Sequence, residues 1–165
     1  MKQKKPSNWH HAVATWPWLL LILLVSSGKA HAFCAGAMVK EIQAIAAIKD
    51  VVEAVKAGNS KQPSKDAILE LDARWINTQG KLPEAQQILE TKVSALLAME
   101  MKKKIYFKEA ILTGNQGETL AMNKTTTDYW QGDEEKFLEI FDSNVPSRKP
   151  DSYISRARWD DSTQT

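Results

Sequence analysis

The chain has 165 residues and a nearly balanced charge, with 22 Lys and Arg against 20 Asp and Glu. This balance excludes the basic footprint of a nucleic-acid-binding protein. The only cysteine is Cys34, which excludes an internal disulfide and a thiolate metal site. The three histidines all lie within residues 1–32, so the remainder of the chain has no histidine for acid–base catalysis or metal binding.

Residues 1–32 have the three-part pattern of a secretory signal peptide. A lysine-rich start precedes an apolar run from Trp16 to Val25, and Ala30-His31-Ala32 forms a small-residue cleavage site. The apolar run is shorter than the roughly 20 residues that span a bilayer. We therefore expect a periplasmic or secreted protein that begins at Phe33 and leaves the membrane after cleavage. An uncleaved N-terminal anchor is the alternative.

A long helix is predicted at the start of the mature chain. Apolar residues recur at helical spacing from Ala37 to Ala57, and Gly58-Asn59 is a suitable helix stop. Lys49 and Glu53 are spaced to pair on the outer face. The apolar face is expected to pack on its own domain, with a seam against a partner helix as the alternative.

Two further helices are predicted before the chain changes character. Ser64 is expected to cap a second helix that ends near Asn77. Pro83 suits the first turn of a third helix, which ends among residues 101–104. Each helix has one apolar face. The residues of these two faces are Ile68, Leu71, Trp75, Leu89, Val93 and Leu96.

The second half of the chain favours strands. Residues 105–107 and 110–112 are expected to be strand, followed by a turn at 114–117 and a return strand at 118–122. Residues 153–159 alternate as another strand, and the turn signal at 160–163 leads to no partner strand. We therefore expect a domain of residues 33–165 that is incomplete at its C-terminus. A short natural tail that frays is the alternative.

An aromatic and acidic turn lies between these strands, at residues 125–137. Tyr129 and Trp130 each have a wide apolar face and one polar group. Such side chains on a connecting segment line a small-molecule pocket or fill a core, and the residues alone leave both interpretations open. Asp133 is placed to cap a short helix that follows, which has Phe137 on its apolar side.

The run from Asp128 to Phe137 (Asp-Tyr-Trp-Gln-Gly-Asp-Glu-x-Lys-Phe) resembles the signature of extracytoplasmic PAS-like sensor domains, called PDC or Cache domains. Three other motifs are similar to motifs of those domains, in the same order and spacing. They are residues 48–59, Leu71-Asp72-x-x-Trp75 and residues 160–165. The resemblance implies an α+β fold, in which a long N-terminal helix packs on a central antiparallel sheet whose last strands are missing here.

The resemblance also implies a small-ligand pocket on the other face of the sheet. Tyr129 and Trp130 are expected as aromatic walls, Asp133 and Asp160 as charged or hydrogen-bonding groups, and Lys136 as an anchor for an anion. Each residue has a structural alternative. Asp133 is then a helix cap, the two aromatic residues belong to the core, and Lys136 is solvated surface.

We expect a sensor-type domain that binds a small ligand. The chain is most similar to the secreted single-domain form of the family, which has no signalling module of its own. No enzymatic activity, cofactor, metal or nucleic-acid partner is expected. A structural or interaction protein of the cell envelope, without a small-molecule ligand, is the alternative. A homodimer through the N-terminal helix or Cys34 also stays open.

Overall fold

The computed structural model describes residues 36–104, 106–141 and 152–154. These residues form an α+β structure of six helices and one two-stranded antiparallel sheet. The helices are α1 (36–46), α2 (Lys49–Lys61), α3 (Lys65–Thr78), α4 (Pro83–Leu89), α5 (Lys92–Lys102) and α6 (Glu135–Phe141). The strands are β1 (Ile111–Thr113) and β2 (Thr119–Met122).

By internal contacts the chain divides into two units, residues 1–42 and 43–165. Among the described residues, no helix combines the length and the apolar character that crossing a membrane requires. Three predictions fall outside the described residues. They are the signal peptide, most of the strand at 153–159 and the candidate site residue Asp160.

The prediction of one continuous helix over residues 37–57 is wrong. The helix breaks at Ala47 and Ile48, where Ile48 takes an extended backbone conformation with a ψ of 131°. The second part, α2, then continues past Gly58 to Lys61. Gly58 is therefore a buried helical residue and not a helix stop. A Cβ atom at Gly58 would lie 2.5 Å from Leu120 Cδ1, so this glycine lets the helix approach β2 closely.

Helix α3 is confirmed as predicted. The Ser64 hydroxyl oxygen accepts a hydrogen bond from the Ala67 backbone N–H at 3.2 Å, and the helix ends at Thr78. Ile68 and Trp75 are buried on its inner face. The predicted ion pair between Lys49 and Glu53 on α2 is also present, at 3.7 Å.

The predicted third helix is two helices, α4 and α5. Pro83 begins α4 as expected, but α4 ends at Leu89. Thr91 has extended backbone geometry and caps α5, since its side chain accepts a hydrogen bond from the Ser94 backbone N–H at 3.2 Å. A threonine that bonds locally in this way starts a new helix and interrupts the previous one.

The predicted hairpin is present but shorter than expected. Strands β1 and β2 are antiparallel, with Ile111 opposite Met122 and an irregularity after Leu112. Tyr106 and Phe107 were predicted to be strand and are not. The Phe107 backbone N–H instead donates to the Lys104 carbonyl at 3.1 Å, which continues the turn at the end of α5.

Strand β2 lies between two hydrophobic clusters. Successive side chains of a strand point to opposite faces, and here Ala121 belongs to one cluster and Met122 to the other. The first cluster contains the buried residues Val51, Val93, Leu97 and Ala121. The second contains Trp75, Ala85 and Met122, with Tyr129 packed against it. Helices therefore cover β2 on both faces, and the aromatic turn adjoins the second cluster.

Candidate functional site

Helix α3 holds the aromatic turn through two side chains. Asp72 Oδ1 accepts hydrogen bonds from the backbone N–H groups of Tyr129, at 2.8 Å, and Trp130, at 2.9 Å. The Trp75 indole N–H donates to the Thr126 carbonyl at 2.9 Å, in a buried environment. Because Asp72 and Trp75 are three residues apart, they lie on the same face of the helix. The turn is therefore fixed at three backbone positions by one face of α3.

The opposite side of the turn pairs with the hairpin. The Thr119 backbone N–H donates to the Tyr129 carbonyl at 3.1 Å, and the Gln131 N–H donates to the Gly117 carbonyl at 2.7 Å. Gly117 has a φ of 86°, and a Cβ atom there would lie 2.5 Å from the Cα of Gly132. This contact requires glycine, because other residues rarely take such a φ and the neighbouring atom is backbone.

The Trp130 side chain makes two contacts, a hydrogen bond at the edge of the indole and a cation–π contact on its face. The indole N–H donates to the Gln116 carbonyl at 2.8 Å, and Lys65 Nζ lies 3.0 Å from the ring centroid. Burial lowers the pKa of Lys65, while the charges of Asp133 and Asp72 oppose this shift. Trp130 lines neither of the two cavities described below. Its role as a pocket wall stays a prediction.

Tyr129 lines the larger of these two cavities. The cavity has a volume of about 350 Å³ and lies between α2, α3, α4 and β2. This volume is at the lower end of the range of about 300–1,000 Å³ that small-molecule pockets occupy. The ring of Tyr129 also packs on Trp75, with 5.6 Å between the ring centroids. Apolar and charged side chains share the cavity wall, among them Lys61, Leu71, Glu84, Ile88, Glu118 and Leu120.

Two carboxylates of this cavity are incompletely paired within the described residues. Glu118 is 2% exposed, and its Oε1 has no hydrogen-bond partner there. Its Oε2 accepts from the Gln116 backbone N–H at 3.2 Å. Glu84 Oε1 bonds the Arg74 guanidinium at 2.5 Å, but Glu84 Oε2 has no partner. Burial, and next the charge of Glu118, raise the pKa of the Tyr129 phenol, which therefore stays protonated at neutral pH.

A smaller cavity of about 140 Å³ lies between β1 and α6, and Lys136 is part of its wall. Phe137 and Phe141 stack there with 4.6 Å between their ring centroids. Asp133 is exposed and lines neither cavity. The structure thus places Tyr129 and Lys136 at separate cavities, and these candidates do not converge on one site.

Sequence reasoning missed two residues at the larger cavity and its supporting turn. Glu118 is the first residue of the predicted return strand, and no sequence signal indicated that its side chain is buried. Asp72 was noticed only as part of a motif. No local pattern gives its partners, which lie 57 and 58 residues further along the chain.

The pKa of the Asp128 carboxyl predicts a pH effect on stability. Burial raises this pKa above its ordinary value of 3.8, although a hydrogen bond from the Gln131 side-chain amide at 2.5 Å opposes the shift. The folded protein therefore binds this proton more tightly than the unfolded chain does. This contribution to the free energy of unfolding is full below pH 3.8 and is lost as the pH rises through the folded-state pKa.

The measurement is the urea midpoint of the wild-type protein and of Asp128→Asn from pH 3 to 7. The wild-type midpoint should fall relative to that of the variant as the pH rises. Asp66→Asn, at an exposed position in the first turn of α3, is the control and should follow the wild type. Parallel curves for wild type and Asp128→Asn would contradict the prediction.

The comparisons with known proteins gave no match: no family model, curated protein or solved structure is significantly similar to this chain. Among the described residues, no group of three or more His, Cys, Asp or Glu side chains is arranged to hold a metal ion. The geometry of the larger cavity and of the turn beside it therefore defines the candidate site.

Proposed function

We propose that this chain is an exported, small-ligand-binding domain of the sensor type, with the PAS-like architecture of PDC or Cache domains. The observation that carries the proposal is the cavity of about 350 Å³ beside the aromatic turn, with Tyr129 in its wall. Small-molecule sites are concave, largely apolar and largely formed before the ligand arrives, with a few polar groups that orient it. The larger cavity combines an apolar part of its wall, formed by Leu71, Ile88 and Leu120, with polar and charged side chains that could orient a ligand.

The aromatic turn supports the proposal because it is fixed from two sides. Asp72 and Trp75 hold its backbone from α3, and the hairpin holds the carbonyl of Tyr129. Tyr129 therefore reaches the cavity from a backbone that need not be ordered when a ligand binds. Preorganisation of this kind lowers the entropic cost of binding.

The order of the motifs supports the Cache-like architecture. Residues 48–59, which make up most of α2, the Leu71-Asp72-x-x-Trp75 motif of α3 and the aromatic turn follow one another in the order of the family's motifs. In the described residues the last two are in direct contact through Asp72 and Trp75. The contact explains why the two motifs occur together, because the α3 motif supplies the side chains that hold the aromatic turn.

A thermal-shift screen of small metabolites tests the proposal, with two matched variants. Gln87 is exposed and lines the cavity, so Gln87→Trp should fill it without disturbing a buried side chain. Gln86 is exposed and is not part of the wall, which makes Gln86→Trp the control. We expect a metabolite that raises the melting temperature of the wild type and of Gln86→Trp, but not of Gln87→Trp. Equal shifts in all three proteins would contradict the proposal.

Export is a separate prediction that the Ala30-His31-Ala32 site makes testable. Cleavage after Ala32 should yield mature protein that starts at Phe33, as read from the intact mass of periplasmic or secreted material. Signal cleavage requires small residues at the first and third positions of this site. Ala32→Tyr should therefore block processing, while His31→Tyr should not. Wild-type protein that still begins at Met1 and stays with the membrane would contradict the prediction.

One observation favours a structural or interaction role as the second candidate. Helix α6 leaves Leu138 and Phe141 exposed by 43% and 42%, and Phe141 also lines the smaller cavity. Exposed apolar side chains that cluster in this way are typical of protein interfaces. Two results together would favour this role over ligand binding. The protein would self-associate in a way that Leu138→Asp abolishes, and the screen would find no metabolite that binds.

A further inference from the structure

We propose that the cavity between α2, α3, α4 and β2 binds a neutral, mainly hydrocarbon ligand with one hydrogen-bond acceptor, and that the hydroxyl of Tyr129 donates to this acceptor. The inference rests on the proposed function, because it names the chemical class of the ligand that the same cavity takes. The hydrogen bonds of the cavity wall carry it, because they occupy the other buried polar side chains and leave this hydroxyl open.

The two carboxylates of the wall do not present a charge to a ligand. Glu118 is 2% exposed, and its carboxylate lies over the hairpin turn, where a Cβ atom added to Gly114 would collide with its Oε1. Its Oε2 accepts from the Gln116 backbone N–H at 3.2 Å. Glu84 Oε1 is bonded to the Arg74 guanidinium, and the remaining oxygens, Glu118 Oε1 and Glu84 Oε2, are closed to solvent. No unpaired carboxylate oxygen of the described wall is therefore accessible to a cationic ligand.

The cavity is no better suited to an anion. Lys61 is the cationic residue of the wall, but it is exposed in the last turn of α2. Charges that are exposed to water attract only weakly, because solvent and salt screen them. Burial raises the pKa of the Tyr129 phenol, and the negative charge of Glu118 raises it further. Both effects disfavour a negative charge at this hydroxyl, whether on the phenol itself or on a ligand bound to it.

Both threonines of the wall use their hydroxyl groups within the protein. The Thr119 hydroxyl donates to the Tyr129 carbonyl at 2.7 Å, and the Thr91 hydroxyl donates to the Ile88 carbonyl at 2.8 Å. A hydroxyl group has a single proton to donate. Neither threonine therefore has a donor left for a ligand.

The Tyr129 hydroxyl differs from these groups because it has no hydrogen-bond partner among the described residues. The hydrogen bonds of Tyr129 are made by its backbone, with the N–H donating to Asp72 and the carbonyl accepting from Thr119. The side chain is half-buried, and its oxygen is not closed to solvent. An accessible hydroxyl on a turn that is already fixed can donate to a ligand with little further loss of entropy.

The apolar part of the wall determines the rest of the ligand. Leu71, Ile88 and Leu120 provide contact for a hydrocarbon portion. The cavity of about 350 Å³ is larger than the apolar cavity of about 150 Å³ that accommodates benzene in another protein. An aromatic ring with a carbonyl substituent therefore has room in it, and its one acceptor matches the one open hydroxyl.

The test is a titration of the full protein with acetophenone and three probes of similar size, followed by NMR at the backbone amides of Leu71, Leu120 and Tyr129. Sodium benzoate is the anionic probe, 1-phenylethylammonium chloride is the cationic probe, and ethylbenzene lacks an acceptor. We expect acetophenone to bind about tenfold more tightly than either ion, because an unpaired charge is unfavourable away from water.

Tyr129→Phe is the matched variant, because it removes the hydroxyl and keeps the ring that packs on Trp75. It should weaken acetophenone binding about fivefold, which corresponds to one neutral hydrogen bond, and leave ethylbenzene binding unchanged. Tyr106→Phe removes the hydroxyl of an exposed residue outside the cavity and should change neither affinity.

Absence of acetophenone binding overturns the inference, and so does an unchanged acetophenone affinity in Tyr129→Phe. If benzoate or 1-phenylethylammonium binds as tightly as acetophenone and Gln87→Trp blocks it, the inference fails while the proposed function stands. If the wider metabolite screen also finds no ligand for this cavity, the proposed function fails with it. The comparison of acetophenone with the two ions uses the wild type, so it decides the charge of the ligand without any variant.

Discussion

Replacing Trp75 by alanine is expected to lower the free energy of unfolding by about 3–5 kcal/mol, the range for large aromatic residues removed from a core. Trp75 is 0% exposed and lies in the second hydrophobic cluster. Its indole N–H is bonded to the Thr126 carbonyl, and its ring packs on Tyr129. The substitution therefore leaves a cavity and removes one of the three contacts by which α3 holds the backbone of the aromatic turn.

Urea denaturation measures this effect, with Ile76→Ala as the control. Ile76 is the next residue of α3 and is 53% exposed, so its truncation should change the free energy of unfolding by no more than about 0.5 kcal/mol. A loss below about 1 kcal/mol for Trp75→Ala would show that this side chain is not the centre of the second cluster, because even one lost core methylene is worth about 0.8 kcal/mol.

Replacing Asp72 by alanine is expected to lower the free energy of unfolding by about 3 kcal/mol. One oxygen of this carboxylate accepts two backbone hydrogen bonds, from Tyr129 and Trp130. Hydrogen bonds to charged groups are worth about 1.5–3 kcal/mol, and the donors left behind lose their partner. The same variant should weaken binding of any cavity ligand, because Tyr129 is no longer held in place.

Asp72→Asn is the matched variant for this prediction. Asparagine keeps a side-chain oxygen at the same distance from the backbone and can accept the same two bonds. The free energy of unfolding should therefore fall by only about 1 kcal/mol, the difference between hydrogen bonds to a charged and to a neutral acceptor. Both variants are compared by urea denaturation. Equal losses for the alanine and asparagine variants would mean that Asp72 acts through its charge alone and not by holding the turn.

Helix α3 could be predicted from the sequence because its determinants are local. Ser64 caps it, its apolar residues recur at helical spacing, and Gly80 follows with a φ of 70°. The breaks in the other two predicted helices were harder to predict from the sequence. Thr91 is a residue type that caps helices, but the apolar pattern continues across it and so predicts one helix where there are two. The break at Ile48 has no such signal, since its N-cap makes no side-chain hydrogen bond.

The candidate site was predictable only in part. The aromatic turn stands out in the sequence, and Tyr129 does line a cavity. The other walls of that cavity come from α2, α3, α4 and β2, and no periodicity or motif reveals which faces of separate helices meet. Gly58 illustrates this limit, because it suggests a helix stop by local rules while its actual neighbour is Leu120, 62 positions later.

The central claim is that a small molecule binds in the cavity between α2, α3, α4 and β2. The most direct test is a ¹H–¹⁵N correlation spectrum of the full protein, recorded during titration with the strongest stabiliser from the metabolite screen. Saturable shifts at the backbone amides of Leu71, Ile88, Leu120 and Tyr129, with none along α6, are the result that we predict. Shifts confined to α6, or no saturable shift at these four amides, would contradict the claim.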